Sequence, residues 1–401
     1  MKILMVNKFL HQKGGAETYA FKLGDFLQAQ GHEVQYFGME HPDRIKENRI
    51  GAYTSYMDFH SKSFLTKISY SFKTVYSAEA RQKIRAVLED FRPDVCHINN
   101  FNYQLTPSII LEIRKWEKQT GHPVKVLYTA HDVQLVCPNH MCLNPNTHAI
   151  CEKCLHGSSL HCVAGKCVHG SFLKSVFGTM ENCFWRWKGV YKMLDTIICP
   201  SAFMKSKLDT NPVLAQKTAV LCNFVDPVVQ KEVQKKDYIL YFGRFSQEKG
   251  IATLVKAAKA LPHIPFVFAG SGPVESLMAD VPNIKNVGFQ TGEALEMLIR
   301  EARLSVCPSE WYENCPFSVL ESQMYGTPVL GANIGGIPEL IRVGKTGELF
   351  ESGNLEQLQQ KLAQMWQDTE RMEAYARNCL DTEHPYIEQY TKQLMAFYTG
   401  A

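Results

Sequence analysis

Short apolar runs alternate with longer, helix-patterned segments along almost the whole chain of 401 residues. Residues 3–6 form an apolar run typical of a strand buried in a parallel sheet. Residues 15–30 follow with helical spacing of apolar side chains, and Gly31 then provides a suitable helix C-cap. Because such alternation places helices against a parallel sheet, the sequence predicts an α/β fold of the doubly wound kind.

The alternation falls into two series, because the pattern lapses around residues 221–227 and residues 228–237 are charged and weakly periodic. We therefore predict a first domain over residues 1–225, a second over 226–382, and a last helix at 383–398 within a C-terminal segment, 383–401. The first series predicts strands at 3–6, 33–37, 94–98, 124–129 and 196–199, and helices at 15–30, 78–91, 106–119 and 201–208. The second predicts strands at 238–242, 266–269, 284–287, 304–307, 328–330 and 348–350, with helices between them.

Composition narrows the class of protein. With 45% hydrophobic residues, a chain of this length can bury two cores, and its net charge of +3 gives no strong field that would call for nucleic acid. No apolar run reaches the about 18 residues of a membrane span, and the first residues enter a strand pattern without signal-peptide features. We therefore expect a cytoplasmic protein, whose thirteen cysteines are mostly thiols or metal ligands rather than disulfides.

Two carboxylates flank a predicted helix start in the second series. Glu313 and Glu321 are separated by seven residues, and Pro316 between them suits the first turn of a helix, where its missing N–H costs no hydrogen bond. The N-terminus of a helix is a ready anion site. Carboxylates beside an anion site suit a phosphate ligand that also carries hydroxyls, and a nucleotide-sugar has both features.

Two cations follow the first strand of the second series. Arg244 and Lys249 lie five residues apart, beyond the strand predicted at 238–242. Since open α/β sheets bind ligands beyond the carboxyl ends of their strands, this pair suits a diphosphate leaving group on which charge builds during reaction. The alternative is a solvated pair at a helix start, although a cation there is mildly unfavourable.

The first domain has two candidate ligand-binding features. Gly14 and Gly15 open the first predicted helix, where glycines let a diphosphate approach backbone N–H groups, although a tight loop without a ligand is the alternative. His131, followed by Asp132, comes directly after the strand predicted at 124–129 and so lies at a carboxyl end, although a lone histidine is more often structural. The absence of a GxGxxG motif argues against a dinucleotide cofactor.

Together these segments resemble the retaining glycosyltransferases of family 4, which have the GT-B fold. The resemblance implies two Rossmann-like doubly wound domains facing a central cleft, with the acceptor on the first and the donor on the second. It also implies that the last helix crosses back to the first domain. The segments that carry it are GGAE at 14–17, HD at 131–132, GRFSQEKG at 243–250, AGSGP at 269–273, the pair Glu313 and Glu321, and GGIPE at 335–339.

The resemblance also implies roles for single residues. Glu321 would accept hydrogen bonds from ribose hydroxyls, and Glu313 would face the donor sugar. Retention in this family is explained by front-face attack, in which the leaving phosphate accepts the acceptor's proton, so His131 would orient groups or stabilise charge. No cofactor would be required for catalysis. The implied catalytic residues are His131, Arg244, Lys249 and Glu313, and the donor-binding residues are Gly14, Gly15, Arg244, Lys249, Gly270, Glu313, Asn314, Cys315, Phe317 and Glu321.

Residues 137–167 are rich in cysteine and lack clear periodicity. A structural zinc ion could replace the missing core there, and the CxxC of Cys151 and Cys154 provides the best ligand candidates. This segment resembles a cysteine-bearing insertion in some polymer-assembling members of the family, while free thiols or a disulfide-bearing loop are the alternative. The other candidate ligands are Cys137, Cys142, Cys162 and Cys167.

Basic and aromatic residues are mixed in two segments, 62–92 and 172–191, that are predicted to form amphipathic helices. Such helices suit an anionic membrane surface and a lipid-linked acceptor. The alternative is ordinary packing helices with snorkelling lysines.

These observations predict a cytoplasmic, retaining hexosyltransferase, peripheral at the inner face of the plasma membrane. It would move a sugar from a nucleotide diphosphate donor, UDP by family frequency, to a glycan or lipid-linked acceptor in exopolysaccharide, capsule or lipopolysaccharide synthesis. Two rival functions are a nucleotide-sugar epimerase of the same fold and a non-catalytic, metal-bearing scaffold. An epimerase would need its own acid and base, and the intact donor-site residues argue against a scaffold.

Overall fold

The computed structural model describes residues 1–56, 74–231 and 233–400. It divides into two compact units, the first comprising Met1–Asn223 with Ile387–Ala401 and the second comprising Phe224–Tyr386. The division thus falls after residue 223, where the sequence predicted it after 225. Residues 62–73 of the predicted basic and aromatic segment lie outside the described residues. No helix in the described part of the chain is long and apolar enough to cross a bilayer.

The first unit is a parallel sheet with connecting helices. Its strands are β1 (Lys2–Asn7), β2 (Glu33–Phe37), β3 (Val95–Asn100), β4 (Lys125–Thr129), β5 (Thr196–Cys199) and β6 (Thr218–Val220). Its helices are α1 (Gly15–Ala29), α2 (Ala78–Phe91), α3 (Ser108–Thr120), α4 (Leu160–Ala164), α5 (Phe172–Lys188), α6 (Ala202–Leu208) and α7 (Pro212–Ala215), with a 3-10 turn at Val190–Met193.

The second unit repeats this plan. Its strands are β7 (Lys236–Phe242), β8 (Phe266–Ala269), β9 (Ile284–Gly288), β10 (Ala302–Cys307), β11 (Val329–Ala332) and β12 (Gly347–Phe350). Its helices are α8 (Ile251–Ala260), α9 (Gly292–Glu301), α10 (Phe317–Met324), α11 (Ile337–Leu340), α12 (Leu355–Gln367) and α13 (Thr369–Leu380), with 3-10 turns at Gln247–Lys249 and Glu275–Met278. The last helix, α14 (Ile387–Thr399), returns to the first unit and packs on α1 and β4.

The predicted elements form where their local signals are strong. All of Ile3–Val6 in β1 is buried, as expected for a continuous apolar run in a sheet covered on both faces. Helix α1 ends just before Gly31, whose φ of +86° is easily adopted by glycine. Ser201 caps α6, since its side chain accepts a hydrogen bond from the N–H of Met204 at 3.0 Å.

In each sheet the order in which strands are added reverses once, next to the first strand of that unit. The first sheet has the order β2-β1-β3-β4-β5-β6, and the second has the order β12-β11-β10-β7-β8-β9, with every pairing parallel. The switch points therefore lie between β1 and β3 and between β7 and β10. Open parallel sheets bind ligands beyond the carboxyl ends of the strands at such points.

Candidate active site

In the second unit, a buried carboxylate and a lysine meet across the switch point. Glu313 lies in the loop after β10, and Lys249 lies in the 3-10 turn after β7. The Lys249 Nζ donates to Glu313 Oε1 at 2.6 Å, and the same oxygen accepts from Ser309 Oγ at 2.7 Å and Trp311 Nε1 at 2.9 Å. Three donors from two loops therefore fix one carboxylate oxygen, while Oε2 takes no part in these bonds.

These contacts keep Glu313 ionised although it is only 7% exposed. Burial alone would raise the pKa of Glu313, but the charge of Lys249 and the hydrogen bonds from Lys249, Ser309 and Trp311 bring that pKa below its usual value. The Lys249 ammonium also lies 5.6 Å from the centroid of the Trp311 ring. The result is a preorganised, charge-balanced pair at the sheet end.

Arg244, the second predicted cation, is placed differently. Its side chain is 59% exposed and forms an ion pair with Glu248, four residues along the chain.

The 3-10 turn that carries Lys249 ends at Gly250, whose φ is +72°. A Cβ at Gly250 would lie 1.9 Å from the carbonyl oxygen of Pro308, so only glycine lets this turn pack against the chain leaving β10.

The GGIPE segment, residues 335–339, packs against the backbone of Glu313. The N–H of Gly336 donates to the carbonyl oxygen of Glu313 at 2.7 Å. Gly335 has a φ of +62°, and a Cβ there would lie 2.2 Å from the same carbonyl oxygen. The close approach of these backbones explains Gly335 by packing, and it fixes the position of the Glu313 loop.

The remaining donor-site candidates of the second unit lie around α10. Pro316 is the N-cap of α10, which begins at Phe317, as the sequence predicted, and Glu321 is partly buried one turn inside. Cys315 is buried. Gly270 follows β8, and a Cβ there would lie 1.9 Å from the carbonyl oxygen of Gly243. Packing therefore already requires glycine at 270, while Asn314 lies in the loop between Glu313 and α10.

In the first unit, His131 lies beyond the end of β4 and is held by neighbours from two other elements. Its Nε2 is 3.2 Å from Asn99 Oδ1 on β3, and the ring of Tyr19 from α1 packs edge-on to it at 5.0 Å between centroids. Burial lowers the pKa of His131 to about 3, so the ring is neutral near pH 7. With Asn99 Oδ1 as the acceptor, Nε2 carries the proton and Nδ1 is free to accept a hydrogen bond.

The last helix is anchored beneath His131. The hydroxyl of Tyr390 on α14 bonds that of Tyr19, which also lies 3.2 Å from Thr129 Oγ1. His97 connects Thr129 to Tyr398. Its Nε2 lies 2.7 Å from Thr129 Oγ1, and its Nδ1 lies 2.6 Å from the hydroxyl of Tyr398. This buried network therefore joins α14 to α1, β3 and β4.

Polar groups that the sequence reasoning missed surround the β1–β3 switch point. The Lys8 ammonium donates to Asn102 Oδ1 at 2.8 Å, and Asn7 Nδ2 donates to Glu17 Oε1 at 3.0 Å. Asn99 Nδ2 and Asn100 Oδ1 are buried without a hydrogen-bond partner among the described residues. Both asparagines directly follow the strand predicted at 94–98, which is the same signal that identified His131.

Asp132 adds a titratable group to this sheet end. Burial raises the pKa of Asp132 to about 6, although the N–H of Gln134, 2.9 Å away, and the charge of Lys8 act in the opposite direction.

Gly14, the N-cap of α1, has an extended backbone with φ of −170°, and a Cβ there would meet nothing closer than Glu17 Oε2 at 3.6 Å. The fold itself does not require glycine at 14, and Gly15 begins the helix.

The cysteine-rich segment is largely irregular, and most of its cysteines are buried. Cys154, Cys162 and Cys167 pack with Val168 in a small cluster, and Cys137 and Cys142 are also buried. Cys151 is partly buried, and none of the thirteen cysteines forms a disulfide in the described structure. Among the described residues, which include all of 137–167, no three His, Cys, Asp or Glu side chains are grouped as metal ligands.

Two family models cover this chain. Glycosyltransferase Family 4 matches residues 13–229, more than half of the chain, and Glycosyl transferases group 1 matches residues 225–379. Over 159 residues the chain is 31% identical to sulfoquinovosyl transferase SQD2 of Arabidopsis thaliana, covering 38% of this chain and 31% of that protein. The matched segment thus spans about a third of the relative's own length.

Solved structures share the arrangement over the full chain. HepE of Anabaena, in a crystal structure with UDP, has a TM-score of 0.70 at 14% identity and covers 100% of both chains. The lipopolysaccharide outer core galactosyltransferase WaaB has a TM-score of 0.60 at 16% identity, covering 100% of this chain and 99% of its own. At such identities the likeness shows the fold, which is GT-B. Taken with the family models, it shows that the chain is a member of glycosyltransferase family 4.

Proposed function

We propose that the protein is a retaining hexosyltransferase that moves a sugar from a nucleotide diphosphate-sugar to a hydroxyl of a glycan or lipid-linked acceptor. The observation that carries this proposal is the Lys249–Glu313 pair at the β7–β10 switch point. A buried ionised carboxylate would repel a diphosphate unless a cation lay beside it. Lys249 supplies that cation, so an acidic group that recognises sugar hydroxyls and a binding site for phosphate can coexist.

The donor site is proposed to use these groups in separate roles. Lys249 and the exposed guanidinium of Arg244 would bind the diphosphate, and Glu313 Oε2 would accept from a hydroxyl of the donor sugar. Glu321 would accept from the ribose, and the N–H groups of Asn314, Cys315 and Phe317 would bind sugar hydroxyls. Uridine is proposed as the base, since the structures of the fold neighbour HepE contain UDP and UDP-glucose.

The proposed reaction needs no protein nucleophile. The bond between the anomeric carbon and the diphosphate oxygen breaks, and its electron pair stays on that oxygen. The acceptor hydroxyl attacks from the same face, and its proton passes to the departing phosphate oxygen, so configuration is retained. Cations on the diphosphate stabilise the charge that develops there. His131, neutral near pH 7, would orient reacting groups by hydrogen bonding.

The first unit is proposed to hold the acceptor. The buried amide atoms of Asn99 and Asn100, which have no partner in the described part of the chain, suit a hydroxyl-rich ligand. Gly14 is compatible with close approach of a ligand, because the fold sets no other demand for glycine there. We propose exopolysaccharide, capsule or lipopolysaccharide synthesis in the cytoplasm as the setting, with UDP-sugar as the donor.

We also propose a structural zinc ion in the segment 137–167. Hydrogen bonding from the Cys142 thiol and from the N–H groups of Cys142, Asn139 and His140 lowers the pKa of Cys137 to about 7, which favours a thiolate. No three side chains are grouped as ligands among the described residues, so binding would require this loop to rearrange. Metal analysis of purified protein should give about one zinc per chain, and a value near zero with the loop ordered would rule zinc out.

Turnover with a panel of nucleotide-sugars tests the function. Purified protein should release UDP from one UDP-sugar, faster with a glycan or lipid-linked acceptor present, and Glu313→Gln should abolish the release. Recovery of an isomerised donor without release of UDP would instead show an epimerase. If the folded protein neither binds nor turns over any nucleotide-sugar, it would instead be a scaffold.

A further inference from the structure

Helix α5 has its apolar and polar faces reversed relative to an ordinary surface helix. Leu173, Met180 and Trp187, spaced by seven residues and therefore on one face, are 61%, 49% and 77% exposed. The opposite face is buried although it is mostly small or polar. Its buried residues are Ser175, Gly178, Thr179, Asn182 and Trp185.

Hydrogen bonds hold the polar face of α5 inward. Ser175 Oγ accepts from the N–H of Val168 at 3.0 Å, and Asn182 Oδ1 accepts from Ser159 Oγ at 2.8 Å. Thr179 Oγ1 donates to the carbonyl oxygen of Ser159 at 3.2 Å. Turning the helix to bury its apolar face would leave the buried N–H of Val168 and the polar groups of Ser159 without these partners, so the outward orientation is built into the fold.

The apolar residues of α5 belong to a concentrated patch. Fifteen large hydrophobic side chains are exposed in the described chain, and five of them fall between residues 160 and 187. Leu160, which is 65% exposed, and Phe172, which is 59% exposed, accompany the three on the outer stripe. We call the outer surface formed by these five side chains the α5 face. Exposed apolar side chains concentrated in this way are typical of an interaction surface rather than of scattered exposure.

The charges in the stretch of sequence that contains α5 are almost all positive. Within residues 153–192 the sole acidic residue is Glu181, and burial raises the pKa of Glu181 to about 8, so it is largely neutral near pH 7. Six exposed cations lie in the same stretch, and none has an ion-pair partner in the described part of the chain. They are Lys153, Lys166, Lys174, Arg186, Lys188 and Lys192.

We propose that the α5 face rests on a bilayer containing anionic lipids. Leu173, Met180 and Trp187 would enter the headgroup region, and the surrounding cations would lie against lipid phosphates. Trp187 suits this depth because indole is apolar with one polar N–H, and the Lys188 ammonium lies 5.0 Å from the centroid of the Trp187 ring. Pairing with a second copy is disfavoured, since it would bring two sets of unpaired cations together.

This inference goes beyond sugar transfer and can be tested without it. Flotation would use vesicles of phosphatidylcholine alone or mixed equally with phosphatidylglycerol. The protein should float with the anionic vesicles and be released by high salt. The triple variant Leu173→Ser, Met180→Ser, Trp187→Ser should partition at least about 10-fold less, and Lys174→Glu, Arg186→Glu, Lys188→Glu about 100-fold less. Phe289→Ser removes an equally exposed aromatic ring from the second unit and should have no effect.

A fluorophore on Cys183 gives a second readout. Cys183 lies on α5 and is the exposed cysteine of the thirteen, so it can be labelled selectively and report transfer to an apolar environment when anionic vesicles are added. No response to anionic vesicles would overturn the proposal. So would unchanged flotation of either triple variant, or self-association that the serine variant abolishes, because the α5 face would then be an interface between copies.

Discussion

The polar groups at the carboxyl ends of the two sheets differ in their charge and hydrogen bonding. At the β7–β10 end, Glu313 is ionised and one of its oxygen atoms receives three hydrogen bonds, including one from Lys249. At the β1–β3 end, burial lowers the pKa of His131 to about 3, so the ring is neutral near pH 7, and it raises the pKa of Asp132 to about 6. The second unit therefore presents a hydrogen-bonded charge pair, whereas the first presents the neutral ring of His131 and amide atoms of Asn99 and Asn100 that have no partner among the described residues. This difference supports assigning the diphosphate to the second unit and the hydroxyl-rich acceptor to the first.

Lys249→Ala should have the largest effect, because Glu313 would keep its buried carboxylate without a cation. We expect the free energy of unfolding to fall by about 3 kcal/mol, measured by urea denaturation. We expect kcat/KM for UDP release to fall by about 10³-fold. The double variant Lys249→Met, Glu313→Gln should recover most of the stability and none of the activity. Recovered activity would show that the charge pair is structural only.

His131→Ala tests the role of the neutral ring at the β1–β3 end. Loss of one preorganised hydrogen-bonding group should lower kcat by about 10²–10³-fold while the melting temperature changes little. Because the pKa of His131 is about 3, the activity of the parent protein should show no titration of this histidine between pH 5 and pH 8. A pH–rate limb near 6.5 that disappears in His131→Ala would mean that the ring is charged during turnover.

Glu321→Ala should act on binding rather than on the fold. Loss of a charged acceptor for ribose hydroxyls should weaken UDP binding by about 10-fold, measured by calorimetry. The parent protein should discriminate UDP from its 2′,3′-dideoxy analogue, and the variant should not. Glu356→Ala, at an exposed glutamate on α12, is the matched control. Equal discrimination by both proteins would remove Glu321 from the donor site.

Asp132→Asn should give the smallest effect. The folded pKa of about 6 is above the unfolded value of about 3.9, so the folded state binds this proton more tightly. The stabilisation is therefore complete below pH 4 and is lost as the pH rises to 6. Relative to Asp132→Asn, the unfolding free energy of the parent should fall by about 1–2 kcal/mol across this window. A flat difference would show that Asp132 is not buried as described.

The fold was largely predictable because its strands are continuous apolar runs buried on both faces. β2 and β5 have the bounds that the sequence predicted, and α1 begins and ends beside glycines. β6 was missed, since this short edge strand is partly exposed and has no such run. The return of α14 to the first unit agrees with what the family resemblance implied.

The sequence named candidate residues for the site but not the contacts between them. Glu313 and Lys249 were identified separately, yet their hydrogen bond joins positions 64 residues apart and depends on β7 lying next to β10. Ser309 and Trp311 gave no sequence signal, because their contact with Glu313 follows from the path of one loop. Asn99 carries a signal in the sequence, since it is a polar residue at a strand end, like His131.

A crystal structure with a bound UDP-sugar would show whether the donor binds at the β7–β10 end of the second sheet. We predict that oxygen atoms of the diphosphate lie about 3 Å from Lys249 Nζ, beyond the carboxyl ends of β7 and β10. We also predict that Glu313 Oε2 accepts from a hydroxyl of the sugar. A nucleotide bound away from this sheet end, with Lys249 in contact with Glu313 alone, would contradict the account.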